Sequence, residues 1–368
     1  DLLEKTADEV IELVAAAQCE DGYLNTYFTV KAPDERWTNL AECHELYCAG
    51  HLIEAGVAFF QATGKRRLLE VVCRLADHID SVFGLRENQL RGYPGHPEIE
   101  LALMRLYEVT QQPRYMALVN YFVEQRGAQP HFYDEEYEKR GQTSYWHTYG
   151  PAWMVKDKPY SQAHQPISEQ QTAIGHAVRF VYLMTGVAHL ARLSQDEGKR
   201  QDCLRLWKNM AQRQLYITGG IGSQSSGEAF SSDYDLPNDS VYAESCASIG
   251  LMMFARRMLE MEADSQYADV MERALYNTVL GGMALDGKHF FYVNPLEVHP
   301  KSLKLNHIYD HVKPVRQRWF GCACCPPNIA RVLTSIGHYI YTPRQDALYI
   351  NMYVGNSMEV PRSEEHTS

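Results

Sequence analysis

His44-Glu-Leu-Tyr-Cys-Ala-Gly-His51 has the spacing of a helix, yet it sets histidines and small residues where a sealed core needs aliphatic side chains. Ile174-Gly-His176 repeats the feature. Helices of this kind are expected to line a cavity. Around them, apolar residues recur at three-to-four spacing near 1–17, 41–62, 66–83, 96–110, 113–127, 165–185, 187–213, 240–261, 265–281 and 326–341. The pattern predicts an all-α chain built of helical pairs. Long segments at 19–40, 128–164, 214–239 and 296–325, rich in Gly, Tyr, Trp, Asp and Ser, read as functional loops forming one face of a cleft. After Pro343, Ala347-Leu-Tyr-Ile-Asn-Met-Tyr-Val354 is richer in β-branched and aromatic residues and reads as the first strand of an all-β domain.

The 368 residues are 45% hydrophobic and 22% charged, enough for a large core, and no stretch approaches the roughly 18 unbroken apolar residues of a membrane span. A net charge of -11 with no basic stretch argues against nucleic acid or an anionic bilayer as partner, and favours a neutral or cationic substrate. Nine cysteines, an odd number without regular spacing, argue for reduced thiols and therefore a reducing compartment, the cytoplasm. The chain opens at Asp1 inside an amphipathic pattern, without an initiator Met or signal-peptide architecture, so upstream helices are expected. Arg362-Ser-Glu-Glu-His-Thr-Ser368 breaks off the alternating pattern and reads as a non-native tail.

The chemistry concentrates in Phe320-Gly-Cys-Ala-Cys-Cys-Pro-Pro-Asn328. Thiols cluster this tightly to hold a soft metal or to do sulfur chemistry. Cys324 and Cys325 are adjacent, with α-carbons about 3.8 Å apart, below the usual disulfide range, so metal ligation is the easier reading. Glu244-Ser-Cys246 supplies a further thiol and a carboxylate after the turn signal Asp235-Leu-Pro-Asn-Asp239. Residues two apart point to different sides of a regular helix. Glu244 and Cys246 could therefore share one ion only at a helix start or bend, where Asp239 or Ser240 could cap. Such a thiolate-rich set favours Zn2+. A coordinated thiol is deprotonated, so one cysteine could be both ligand and nucleophile.

Gly227-Glu-Ala-Phe230, Glu244-Ser-Cys246, Phe291-Tyr-Val-Asn-Pro295 and Cys322-Ala-Cys-Cys-Pro-Pro-Asn328 together resemble family 127 of the glycoside hydrolases, the β-L-arabinofuranosidases. The resemblance runs from about residue 1 to 361. It implies an (α/α)6 toroid over 1–342, incomplete at its N-terminus, followed by the beginning of a β-sandwich domain over 343–361, with the tail at 362–368. It implies a retaining exo-glycosidase that removes terminal β-L-arabinofuranosyl residues from plant-type glycans. Residue by residue, Glu244, Cys246, Cys324 and Cys325 would hold zinc, Cys324 would be the nucleophile and Glu228 the acid/base. His44, His96, His176 and Tyr292 would contact the sugar hydroxyls. An acid role requires the Glu228 pKa to be raised, by burial and the thiolate cluster. The expected partner is an oligosaccharide or glycan, and a homodimer is left open. Three alternatives stand beside this reading: another pentose-like or branched sugar, a carbohydrate-binding protein with a structural zinc, and a thiol oxidoreductase using Cys322 and Cys325. Cys19, Cys43, Cys48, Cys73 and Cys203 read as inert thiols, and His51, His147 and His164 gain no support from the family. Trp37, Trp146 and Trp319 could stack on sugar rings or fill gaps between loop and barrel.

Overall fold

The computed structural model describes residues 2–145, 153–344 and 347–359. Its helices are α1 (Leu2–Ala17), α2 (Thr26–Val30), α3 (Glu45–Thr63), α4 (Arg67–Val82), α5 (Ile99–Thr110), α6 (Pro113–Gln125), α7 (Phe132–Lys139), α8 (Trp153–Lys156), α9 (Ala177–Ser194), α10 (Glu197–Arg213), α11 (Ser245–Met261), α12 (Ser265–Ala274), α13 (Cys325–Thr334) and α14 (Gly337–Ile340). A two-stranded antiparallel hairpin follows, β1 (Tyr341–Pro343) and β2 (Leu348–Ile350), in the register Tyr341 to Ile350. None of the described helices is long and apolar enough to cross a membrane.

The helices pair into hairpins, α3 with α4, α5 with α6, α9 with α10 and α11 with α12. One member of each pair packs on the next pair, giving an inner succession α3, α5, α9, α11, α13 inside an outer layer. This is an (α/α) toroid. Every residue of α9 from Ala177 to Ala191 is buried, Arg179, Thr185 and His189 among a mainly apolar run, whereas α4 and α12 are amphipathic and close only one face. α13 meets α3 through an Arg331–Glu54 ion pair, beside a cavity of about 750 Å³ lined by both helices.

Gly250 sets the closest inner contact, since a Cβ there would collide with Val181 and Tyr182 of α9. Gly250→Ala is therefore expected to cost about 1–3 kcal/mol by overpacking. A lower urea midpoint with an unchanged slope would show it.

Several helix boundaries differ from the sequence expectation. The segments 165–185 and 187–213 are divided at Gln195 and Asp196, not at Gly186. Gln195 takes a left-handed φ of 56° and Asp196 caps α10 through the Lys199 amide. Gly186 lies inside α9, where its missing side chain admits Glu100 of α5. The predicted loops contain α2, α7 and α8, which are too short to register as periodicity. The helix read to 281 gives way to a π-helical turn over Leu275–Leu280, and the one read to 341 ends at Thr334, with β1 taking over at Tyr341.

Candidate active site and metal centre

All the proposed site residues but two come from the N-terminal ends of the inner helices. His44 is the N-cap of α3, His176 of α9, Glu244 of α11 and Cys324 of α13, while His96 lies just ahead of Glu98, the N-cap of α5. The segments 19–40, 214–239 and 296–325 run up to the starts of α3, α11 and α13. Partial positive charge at a helix N-terminus favours an anionic group there by about 0.3–1 kcal/mol, which suits Glu244 and Cys324.

Glu244, Cys246, Cys324 and Cys325 place one ligand atom each within 4.8 Å of one another. Cys246 and Cys325 sulfurs are 3.4 Å apart, Cys324 and Cys325 3.7 Å, and the Cys324 sulfur lies 3.6 Å from Glu244 Oε1. The anticipated helix start is what lets residues 244 and 246 converge. Capping by Asp239 or Ser240 is not what happens. Glu244 itself is the N-cap, its side chain turned into the cluster instead of onto the helix amides, and Asp239 is engaged by the Tyr309 hydroxyl. Backbone bonds from Ser245 N to Tyr292 O and from Asn294 N to Ala243 O dock the 291–295 segment alongside. The Tyr292 hydroxyl thereby lies 3.2 Å from the Cys324 sulfur. Pro326 and Pro327 fall in the first turn of α13, where a missing amide costs nothing.

The donor set fits Zn2+. Three thiols and a carboxylate are the ligands of a thiolate-rich tetrahedral site. Glu244 Oε2 is buried without a hydrogen-bond partner among the described residues, an arrangement that is costly unless a cation takes it up. Burial, then the charges of Glu228 and Cys324, push the Glu244 carboxyl well above its ordinary range, whereas donation from Cys246 and then Cys325 holds Cys324 down at about 2. Glu244, Cys246, Cys324 and Cys325 are together a cluster that could hold Zn2+. Chelation is expected to lower the thermal midpoint and added Zn2+ to restore it, read by calorimetry.

Glu228 sits in a tight turn where Gly227 and Glu228 both take left-handed φ, 69° and 51°. Bonds between Gln224 and Ala229 close that turn. A non-glycine residue there is strained, and its carboxyl is held by His176 and Tyr242. His176, Glu228 and Glu244 group within 4.8 Å. His176 Nδ1 accepts the Val178 and Arg179 amides as the cap of α9. Its proton therefore resides on Nε2, which donates to Glu228 Oε2 at 3.0 Å. Tyr242 donates to Glu228 Oε1 at 2.8 Å. The raised pKa expected of Glu228 is not found. Burial pushes the carboxyl up as anticipated, but donation from His176 and Tyr242 outweighs it and holds the group below its ordinary range.

His44, His96 and His176 form a chain of rings, 6.0 Å from His44 to His96 and 5.7 Å from His96 to His176. Burial lowers all three pKa values, that of His44 to about 4, so they stand as neutral imidazoles. His96 Nδ1 is bonded to the Pro97 carbonyl and so carries the proton, leaving Nε2 as an acceptor. The structure thus brings together every residue singled out for the site. Of the tryptophans, Trp37 is a gap-filler packed on Tyr23, His78 and Phe83, and Trp319 is more than half exposed. Trp146 and His147 lie outside the described residues, as does the 362–368 segment.

Comparison with known proteins now has a site to refer to. A sequence model of the GH127 β-L-arabinofuranosidase catalytic domain matches residues 1–338. The chain belongs to glycoside hydrolase family 127. Within GH127 it is 44% identical to a non-reducing end β-L-arabinofuranosidase of Bifidobacterium longum subsp. longum, over 97% of this chain and 54% of that protein. It superposes with a TM-score of 0.91 on the crystal structure of a GH127 β-L-arabinofuranosidase from Geobacillus stearothermophilus T6, at 58% identity, covering 96% of this chain and 55% of that one. A second GH127 β-arabinofuranosidase superposes at 0.81 and 37% identity, over 95% and 51% of the two chains. The chain spans about half the length of these relatives.

Tyr242 and Arg331 were missed by sequence reasoning. Tyr242 stands two residues before Glu244, and Arg331 lies on the helix that Cys325 opens. Arg331 donates to Glu54 Oε2, to Tyr182 at 3.0 Å, to Asn328 Oδ1 at 2.9 Å and to Glu98 at 3.4 Å. It ties the cysteine-bearing helix to three of the other helices that open on the site.

Proposed function

We propose that the whole protein is a retaining exo-glycosidase that removes terminal β-L-arabinofuranosyl residues from plant-type glycans. The observation that carries this reading is that Glu228 and Cys324 both converge on Glu244, each with an atom within 4.8 Å of a Glu244 carboxylate oxygen. An acid/base and a sulfur nucleophile thus share one buried neighbour. Glu228 gives a proton to the leaving oxygen as the Cys324 sulfur attacks the anomeric carbon, so a C–S bond forms and the glycosidic C–O bond breaks. Glu228 then takes a proton from water, whose oxygen displaces the sulfur, and the two inversions retain configuration. Bound Zn2+ would keep Cys324 as a thiolate and ease its departure. A glycan covering Glu228 removes its remaining water, which pushes a carboxyl toward the acid form. His96 Nε2 and the half-buried His44 offer neutral partners to sugar hydroxyls, and Tyr292 steadies the sulfur.

We also assign 1–342 to the catalytic barrel and 343–361 to the start of a β-sandwich domain, place the protein in the reducing cytoplasm, and take a glycan as its partner, with a homodimer as the assembly to check by light scattering. The test is hydrolysis of an aryl β-L-arabinofuranoside by the zinc-loaded full-length protein. Release of the aryl alcohol supports the reading, and silence from a folded, zinc-bound protein points to another pentose-like or branched glycone. Glu228→Gln should lower kcat/KM by about 10²–10⁴ for a poor leaving group and far less for an activated one that needs no proton. Equal losses for both would remove Glu228 from the acid role.

A further inference from the structure

Away from the N-terminal ends that carry the metal cluster, the inner helices enclose a second set of chemical groups. The cavity of about 750 Å³ is lined by Arg105 of α5, Arg256 and Arg257 of α11, Arg331 of α13 and, among the described residues, a single carboxylate, Glu54 of α3. Arg256 also lines a further cavity of about 600 Å³, with Arg192 and Glu260. The carboxylates within reach are too few for these cations. Arg105 donates to Glu54 Oε1 at 2.7 Å and Arg331 to Glu54 Oε2. Glu260 is shared by Arg257 at 2.7 Å, Arg256 at 3.3 Å and Arg192 at 3.3 Å, and Arg192 also reaches Glu108 at 2.8 Å. Burial would raise these three carboxyls, but their donors, His189 first in the case of Glu108, bring each down to about 2. Glu98, 3.4 Å from Arg331, is fully buried, which pushes its carboxyl well above the ordinary range and leaves it uncharged. Burial likewise keeps His51 and His338 neutral. Five guanidiniums therefore meet three ionised carboxylates.

Arg256 is the least satisfied of the five. Its side chain is 26% exposed, and among the described residues it has the long Glu260 contact and the face of the Tyr339 ring, 5.6 Å away. A largely buried cation without its own counter-charge is costly, and a chain of net charge -11 has carboxylates to spare for such a wall. We propose that this cavity binds a phosphate dianion, free or as the phosphoryl group of a small organic phosphate, with Arg256 as its principal ligand and Arg105, Arg257 and Arg331 around it. A dianion matches the excess of two positive charges. Guanidinium groups pair with phosphate through two parallel hydrogen bonds, and those already held on Glu54 and Glu260 lose little further freedom on binding. The cavity is larger than a free phosphate needs, and Ala55, Ala58, Leu101 and Ile249 in its lining offer an apolar surface to an organic portion.

The test uses the full-length protein, titrated in a calorimeter with sodium phosphate and, separately, with ribose 5-phosphate, against sodium chloride of matched ionic strength. Saturable binding of a phosphate probe is expected, with the thermal midpoint rising in step, and the tighter of the two probes identifies the source of the dianion. Arg256→Met should weaken binding by about tenfold or more, the scale of one charged hydrogen bond. The same change should not lower the thermal midpoint in chloride alone, because it removes an unmatched cation. Arg256→Lys keeps the charge but not the planar fork, and should retain only part of the affinity. Arg256 also separates this cavity from any phosphate held at the metal cluster, which its variants would leave untouched. Binding of neither probe beyond the chloride control, or binding as tight in both Arg256 variants as in the parent, would overturn the proposal.

Discussion

Cys324→Ser is expected to lower kcat by a factor on the order of 10⁴–10⁶, the scale of deleting an essential nucleophile. A serine hydroxyl is a far weaker nucleophile than a thiolate near neutral pH and a poor zinc ligand. Loss of metal alone could also silence the enzyme, so the informative comparison is with Cys246→Ser, which removes a ligand the reaction does not otherwise use. Both proteins are assayed after zinc loading, with metal content measured beside the rate. If Cys324 is the nucleophile, its variant stays silent at any zinc content, whereas Cys246→Ser regains activity in proportion to the zinc it holds. A Cys324→Ser protein whose activity tracks its zinc would leave this residue a ligand only.

The largest expected effect on stability is at Arg331. Its guanidinium meets the Glu54 carboxylate, the Tyr182 hydroxyl and Asn328 in a mostly buried setting, and Arg105 reaches the same Glu54 at 2.7 Å. Burial alone would raise the Glu54 pKa, but Arg331 and Arg105 bring it down to about 2. Arg331→Met leaves that carboxylate with half of its compensation. Removing one partner of a buried pair costs about 3–5 kcal/mol, and Arg105 places this case at the lower end. Glu54→Gln in the same protein should recover a large share, because a neutral amide no longer needs the missing cation. Denaturation of the two single variants and the double variant closes the cycle. Additive losses would mean that Arg331 acts through packing and not through charge. Because α13 begins at the zinc ligands, Arg331→Met should also weaken zinc retention against a chelator, which Gly250→Ala should not.

The ring of helices was legible because its signal is local. Inner helices such as α9 and α11 carry long mainly apolar runs and are buried along most of their length, outer ones such as α4 show a stripe, and both patterns survive in sequence. The site was legible through its motifs, since Cys324-Cys325 and Glu244-Ser-Cys246 have few other uses. What escaped was set by long-range contact. No spacing reveals that His176 caps α9 with one nitrogen and donates to Glu228 with the other, and the raised Glu228 pKa failed as an expectation for that reason. Gly186 looked like a break because a glycine weakens a helix, whereas its role is to admit a neighbouring helix. Nothing local in the sequence singles out Arg331, because its partners, Glu54 and Tyr182, lie far away along the chain.

The placement of His44, His96, His176, Glu244 and Cys324 at the first turns of successive inner helices has a consequence for folding. The contacts that make the metal centre join segments 80 residues apart along the chain, and non-local closure of this kind is the slow part of folding. Single hairpins can form early on local contacts, but none of them owns a complete ligand set. Glu244 and Cys246 come from the start of α11, Cys324 and Cys325 from the start of α13. Zinc can therefore be held tightly only after those two helices have docked. The rate of metal uptake during refolding becomes a clock for the last stage of assembly, readable without substrate.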